Sequence, residues 1–266
     1  MKKRIISGIV ATILVAPAII IGGNLFKFMA IVLALLALKE FIDIRETKKK
    51  FPILIKIIAY IIITLLIVSN SDQQFFVFGL EYWIMSVTLL GLLLPVALYY
   101  CTNKYNIKDA MHLIGSVLFL GTVFNLIFYV RDLGLSYLIL VLLITTVTDI
   151  FAYSTGMLIG RNRFKDSPSP NKSLEGYFGG AIMGTFVGTM FYITVINVDV
   201  KLYVIIPIVL TLSIIGQLGD LVFSSVKRYY GKKDFSNIMP GHGGVLDRID
   251  SLIFVLLAFV LFLNIL

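Results

Sequence analysis

The sequence predicts an all-α, polytopic integral membrane protein of about nine transmembrane helices with a cytoplasmic N-terminus. Three observations carry that expectation. Hydrophobic residues make up 59% of the 266-residue chain, charged residues only 14%, and the mean hydropathy is +0.97; soluble domains carry about 25% charged residues. The apolar runs are continuous and rich in Leu and Ile, whereas a membrane β-barrel needs alternating segments of about ten residues. Lysine and arginine also collect in alternate loops, as the positive-inside rule requires.

At about 20 apolar residues per crossing, eight to ten spans fit a chain of this length. Met1-Lys2-Lys3-Arg4 precedes an apolar run over 5–21 that continues past the small residues Ala16 and Ala18. It reads as an uncleaved first helix starting in the cytoplasm. Gly22-Gly23-Asn24 turns the chain into a second helix over 25–42, and a basic loop, Arg45 to Lys50, follows. Further helices are expected over 53–68, 80–100, 111–130, 135–158, 177–195, 202–223 and 249–266, the eighth with room to run on. This arrangement puts every one of the 23 Lys and Arg residues except Lys27, Arg131 and Lys201 on the inner side. Removing one helix from the middle would scramble that bias. Residues 1–130 then form an N-terminal scaffold giving access to lipid. Residues 131–266 form a C-terminal catalytic region with two cytoplasmic loops, 161–176 and 224–247.

Carboxylates stand where a membrane helix tolerates them poorly: Asp149 in the sixth helix, Asp220 in the eighth, and Asp247 with Asp250 entering the ninth. An unpaired charge at a helix centre costs about 2.5–3.5 kcal/mol or more, so such residues are paired or functional. A helix that continues past 223 places Asp220, Ser224 and Lys227 on one face, and Asp247 and Asp250 three apart can address one neighbour. Gly156 and Gly160 beside Asp149, and Gly216 and Gly219 beside Asp220, permit close approach of another backbone. Carboxylates gathered from different helices suit Mg²⁺ better than Zn²⁺. His112 and His242 lack zinc spacing, and the single cysteine, Cys101, offers neither a disulfide nor a Cys cage. His112 reads as an ordinary interfacial residue; His242, between glycines, is either solvated or a hydrogen-bond donor to phosphate.

The longest polar passage is 224–250, SSVKRYYGKKDFSNIMPGHGGVLDRID. Four cations, Lys227, Arg228, Lys232 and Lys233, precede a Pro-Gly-His-Gly-Gly turn, and two aspartates follow. Such a segment suits a polyanion and a cation held together. The other loop contains Ser169-Pro170-Asn171-Lys172-Ser173-Leu174-Glu175-Gly176, where proline stiffens the backbone ahead of Lys172 and Ser173. It lacks the spacing of a nucleotide-binding P-loop.

Ser224-Ser225-Val226-Lys227-Arg228, Lys233-Asp234 and Pro240 to Asp250 together resemble the signature of the phosphatidate cytidylyltransferases, or CDP-diacylglycerol synthases. The segments 149–160 and 169–176 resemble further parts of that family, with Asn171, Ser173 and Met239 as mild departures. The likeness covers roughly the C-terminal half. It implies an enzyme of the bacterial cytoplasmic membrane, active site toward the cytoplasm, that joins CTP and phosphatidic acid into CDP-diacylglycerol and pyrophosphate for phospholipid biosynthesis. It implies Asp220 and Asp247 as Mg²⁺ ligands with Asp149 and Asp250 next, a second cation being left open. Lys227, Arg228, Lys233 and Arg248 would hold phosphates, and Ser169, Lys172, Ser173, Glu175, Asp234 and His242 would contact or order substrate. The partners implied are CTP, phosphatidic acid and the lipid bilayer, not nucleic acid; assembly as a homodimer is left open.

Three alternatives are weighed on the same residues. A cation-coupled transporter explains Asp149 and Asp220 but not two long basic loops. A lipid-binding structural protein predicts no metal dependence. A CDP-alcohol phosphotransferase would need an Asp-Gly-x-x-Ala-Arg run, which this sequence lacks.

Overall fold

The apolar runs fold as helices almost where the hydropathy places them, with polar residues extending several of them by a turn. The computed structural model describes residues 2–69, 82–100, 104–164, 167–239, 241, 243–263 and 265. The link between the third and fourth expected helices, the start of the fourth, Cys101, Lys165, Asp166, Pro240 and His242 fall wholly or partly outside them. In order, the helices are α1 (Lys2–Ile21), α2 (Gly23–Glu46), α3 (Ile53–Ser69), α4 (Tyr82–Leu98), α5 (Ile107–Leu133), α6 (Leu135–Ile159), α7 (Leu174–Phe191), α8 (Leu202–Tyr229) and α9 (Leu246–Phe262). A π-helical turn, Tyr192–Ile196, continues α7. Among the described residues there is no strand, only two isolated bridges, Arg163 with Ser173 and Met239 with Gly243.

Among the described residues, four helices are long and apolar enough to cross a membrane: Ile107–Leu133, Leu135–Ile159, Leu174–Ile196 and Leu202–Tyr229. The other apolar helices are shorter or more polar. The 17 residues of α3 or α4 rise about 25 Å, the low end of a spanning length. Helix α2 carries Lys27, Lys39, Glu40, Asp43, Arg45 and Glu46 within its 24 residues.

The chain divides into two compact units, Met1–Tyr129 with Asp234–Leu246, and Val130–Lys233 with Asp247–Leu266. In the first unit, α2 buries Phe26, Ala30, Ala34, Ala37 and Leu38, and α3 buries Ile55, Ala59, Ile62, Ile63 and Leu66. These residues recur every three or four positions, which lines them up on one helical face. Asn125 of α5 donates to the Leu66 carbonyl at 3.3 Å. Asp109 at the start of α5, fully buried, accepts from Arg45 at 2.6 Å and Lys49 at 2.8 Å.

In the second unit α7 packs against both α6 and α8. Gly176, Gly180, Gly184 and Gly188 repeat every four residues and form one stripe. A Cβ on Gly180 would strike the Thr148 carbonyl and Ala152. One on Gly184 would strike the Thr148 and Ser213 hydroxyls, and one on Gly188 would strike Ile144 and Val209. Bare backbone on this face lets α6 and α8 approach closely, the mode of packing small residues allow within a membrane. Phe178, Ile182 and Phe186, displaced by half a turn, are exposed and form an apolar outer face. Helix α9 packs on α8 at Gly216, against Val255, and at Gly219, against Phe254.

Candidate active site

The second unit contains Asp149 on α6, Lys172 just before α7, Asp220 and Lys227 on α8, and Asp247 and Asp250 on α9. Helix α8 does run past the apolar stretch, to Tyr229, so Asp220, Ser224 and Lys227 share a face. Ser224 Oγ donates to Asp220 Oδ1 at 3.3 Å. The helix then stops in a Schellman arrangement: Gly231 takes φ +67°, and the Lys232 and Gly231 amides donate to the Lys227 and Arg228 carbonyls at 2.9 Å each.

Two lysine–aspartate ion pairs define the geometry. Lys172 Nζ lies 2.6 Å from Asp220 Oδ2, with both side chains partly accessible. Lys227 Nζ donates to Asp247 Oδ1 at 2.7 Å, with both nearly buried. Asp149 and Asp250 each interact electrostatically with Asp220, and with one another. Asp250 Oδ1 accepts from the Ser251 amide at 2.8 Å. Helix α9 starts at Leu246 rather than near 249, so both aspartates are helical, Asp247 in the first turn, where the helix dipole favours a negative charge.

The loop before α7 is a small clasp that fixes Lys172. The Phe164 amide donates to the Lys172 carbonyl at 3.0 Å, and the Leu174 amide donates to the Asn162 carbonyl at 2.9 Å. Glu175 Oε1 accepts from the Asn162 amide at 3.1 Å and from its side chain at 2.9 Å. Ser173 is the N-cap of α7: its Oγ accepts from the Gly176 amide at 3.1 Å. It is buried against Gly156 and Gly160, so those glycines do admit a neighbour. The Ser169 carbonyl accepts from the Lys172 amide at 3.2 Å. Arg228 Nε donates to the Pro168 carbonyl at 3.2 Å, tying the end of α8 to the clasp.

The remaining expected residues are more dispersed. Lys233 and Arg248 are exposed in the second unit. Asp234 is exposed and belongs to the first unit, and His242 lies outside the described residues. His112, read as an ordinary interfacial residue, places its ring nitrogen 3.4 Å from the Phe41 carbonyl.

Asp149 also lines a narrow cleft with Thr145, Thr148, Ser213, Gly216, Ser251 and Val255. The Thr148 and Ser213 hydroxyls share a hydrogen bond of 2.7 Å across it. Among the described residues, no three His, Cys, Asp or Glu are gathered closely enough to hold a metal ion. The donor chemistry fits a hard divalent cation all the same. Asp149, Asp220 and Asp250 supply only carboxylate oxygens and sense one another's charge. The cation that meets Asp220 is the Lys172 ammonium.

Several positioning residues escaped the reading of the sequence. The four-residue glycine spacing of α7 was legible as a packing stripe. Gln217, whose Nε2 donates to the Tyr177 carbonyl at 3.2 Å, carried no signal. Glu40 did, as an acid inside the second apolar run.

The model of the cytidylyltransferase family matches residues 2–266. A protein of Staphylococcus epidermidis named phosphatidate cytidylyltransferase is 35% identical over 262 residues, covering 96% of each chain. Proteins of the same name from Staphylococcus haemolyticus and Staphylococcus aureus are also 35% identical, over 263 and 262 residues, again covering 96% of each chain.

Proposed function

The chain belongs to the cytidylyltransferase family, and we propose from that premise that it makes CDP-diacylglycerol at the lysine–aspartate pairs of its second unit. The reaction joins CTP and phosphatidic acid: a phosphate oxygen of the lipid bonds to the α-phosphorus of CTP, and the bond from that phosphorus to the bridging oxygen of pyrophosphate breaks. A phosphomonoester with a second pKa near 6 is largely anionic at neutral pH, so no strong general base is needed. The harder task is to bring two anions together and to stabilise charge on the leaving group.

The observation that carries this reading is the pairing of Lys172 with Asp220 and of Lys227 with Asp247. Each lysine is a phosphate-binding cation held in place by a carboxylate. Lys172, on its clasp, is the more accessible and would grip the nucleotide's phosphates. Lys227, nearly buried, would add a fixed positive charge beside Asp247. Arg228, Lys233 and Arg248 are exposed cations suited to the rest of the polyanion. Asp220 and Asp247 would be the first ligands of Mg²⁺, with Asp149 and Asp250 next, their carboxylate oxygens being what a hard cation takes. Bound there, the ion would withdraw negative charge from the phosphates and align them.

The topology we propose has nine spans, the N-terminus and both polar loops in the cytoplasm, and the C-terminus opposite. The distribution of Lys and Arg supports it. CTP and the lipid headgroup would then meet at the same interface of the bacterial cytoplasmic membrane. A cysteine placed at the exposed Asn237 in a Cys101→Ser background should resist an impermeant reagent applied outside intact cells; labelling there would overturn this topology.

The test of the reaction is the purified protein with labelled CTP and phosphatidic acid. Pyrophosphate and a labelled lipid should form in equal amounts only when both substrates and a divalent cation are present. Undiminished turnover in excess EDTA would remove the metal from the proposal, and no lipid product under any condition would remove the reaction.

A further inference from the structure

Glu40 sits inside α2, in the half of the chain read as scaffold, and its side chain is wholly buried. A buried carboxylate needs donors, and Glu40 finds them about two hundred residues away in sequence. Ser236 Oγ donates to its Oε1 at 2.6 Å, the Val245 amide to Oε1 at 2.8 Å and the Leu246 amide to Oε2 at 2.9 Å. The same Ser236 oxygen accepts from the Ile238 amide at 3.3 Å. Next to it on α2, the Phe41 ring packs on Phe235, centroids 5.5 Å apart. Gly244 lies so near that any Cβ there would run into the Glu40 carboxylate. Two neighbouring side chains of α2 therefore hold both ends of the segment 235–246.

Between those ends the chain reverses tightly. The Met239 and Gly243 amides and carbonyls exchange hydrogen bonds of 2.9 and 3.1 Å, and Gly241 and Gly243 take φ +81° and +87°. A glycine-rich turn before a helix invites the reading of a phosphate cradle built from backbone amides. Here the Val245 and Leu246 amides, which open α9, are already bonded to Glu40. The anion at this helix start is one of the protein's own side chains, so substrate phosphate has to be met by other groups.

We propose that Glu40 is a positioning residue for the reaction: by accepting the first amides of α9 it fixes where that helix begins, and so the conformation of the residue bonded directly to Leu246, Asp247. This rests on the cytidylyltransferase reading for its catalytic consequence but not for its structural one. Glu40→Gln keeps the size, loses one charged acceptor and turns an N–H₂ toward two amides. Losing a charge-assisted hydrogen bond at a buried site should raise the KM for CTP and the Mg²⁺ midpoint by about tenfold. Glu40→Asp, which keeps the charge one methylene short, should lie between Gln and wild type.

The experiment compares wild type, Glu40→Gln, Glu40→Asp and Ser236→Ala, each purified in full length. It follows KM for CTP, kcat, Mg²⁺ midpoint and deuterium uptake of the peptide covering 234–246. The result expected is faster exchange confined to that peptide, together with raised KM and Mg²⁺ midpoint in the order Gln, Asp, wild type. General destabilisation would lower kcat by loss of active molecules and leave both midpoints in place, which would overturn the proposal. So would faster local exchange with unchanged kinetics. Should Glu40→Gln fail to fold, Ser236→Ala, which removes one of the bonds Glu40 accepts, decides the matter by the same readouts, with a shift of a few fold expected. If wild type itself makes no lipid product, the reaction assignment falls, while the exchange data still report whether Glu40 holds the segment.

Discussion

The two units treat their buried acids in opposite ways. In the first, Asp109 accepts from Arg45, Lys49 and the Asn106 amide, and Glu40 accepts from Ser236, Val245 and Leu246. Both side chains are closed off from solvent. In the second, Asp220 stays partly accessible and meets Lys172 and Ser224, and Asp149 lies on the wall of a cleft. A carboxylate with its oxygens fully engaged is a structural fastener, because moving any partner leaves a buried charge uncompensated. A carboxylate that meets a lysine and a hydroxyl at a partly accessible place can exchange the lysine for a ligand at little cost, since exposed ion pairs contribute only about 0–1 kcal/mol. Acids of the same chemistry are thus divided by the number and rigidity of their partners.

The largest effect expected is on Asp220. Asp220→Asn should lower cytidylyl transfer on the order of 10²-fold or more, as loss of a central electrostatic group does. It should raise the Mg²⁺ midpoint and leave the thermal midpoint almost unmoved. A metal titration beside a melting curve reads both. An unchanged Mg²⁺ midpoint would break the comparison, since Asp220 would then be no more available than Asp109. Asp247 sharpens it, being a site residue with a nearly buried partner. Asp247→Asn should lose activity to a similar extent and also lose stability, because the nearly buried Lys227 ammonium loses the charged oxygen to which it donates.

Asp109→Ala is the converse. It removes the acceptor of Arg45, Lys49 and the Asn106 amide and should reduce stability by about 1–3 kcal/mol, read by denaturation in detergent. Activity per folded molecule should stay within about twofold, the small change expected of a group that meets no reacting atom. A large loss of turnover in fully folded protein would show that the first unit's fasteners also act on the chemistry.

The smallest effect is expected at Lys172. Lys172→Ala removes one ammonium from a partly exposed pair, so stability should hold. The KM for CTP should rise about tenfold, the worth of one charge-assisted hydrogen bond, while the Mg²⁺ midpoint should not rise. A rise would mean that the lysine helps to build the metal site rather than the phosphate site.

Much of this molecule follows from the sequence alone. The helices are written in the apolar runs because lipid leaves every backbone amide to be satisfied within its own segment, which only helix or closed barrel achieves. The close approach of α6, α7, α8 and α9 is written in glycine spacing. The signature residues of the second unit were legible because charge within an apolar chain is costly enough to be conspicuous. Ion-pair partners were not legible, since neither period nor composition says which lysine reaches which aspartate. The pairing of Lys172 with Asp220, of Lys227 with Asp247, and of Arg45 and Lys49 with Asp109 depends on helix ends that only packing brings together. Ser173 shows the limit from the other side: its hydroxyl suggests substrate, and only the fold adds that it caps α7. Glu40 shows it most clearly. Its sequence neighbours make it an anomaly in an apolar helix, and only the return of the chain about two hundred residues later supplies donors, Ser236, Val245 and Leu246, that explain why a charge is buried there.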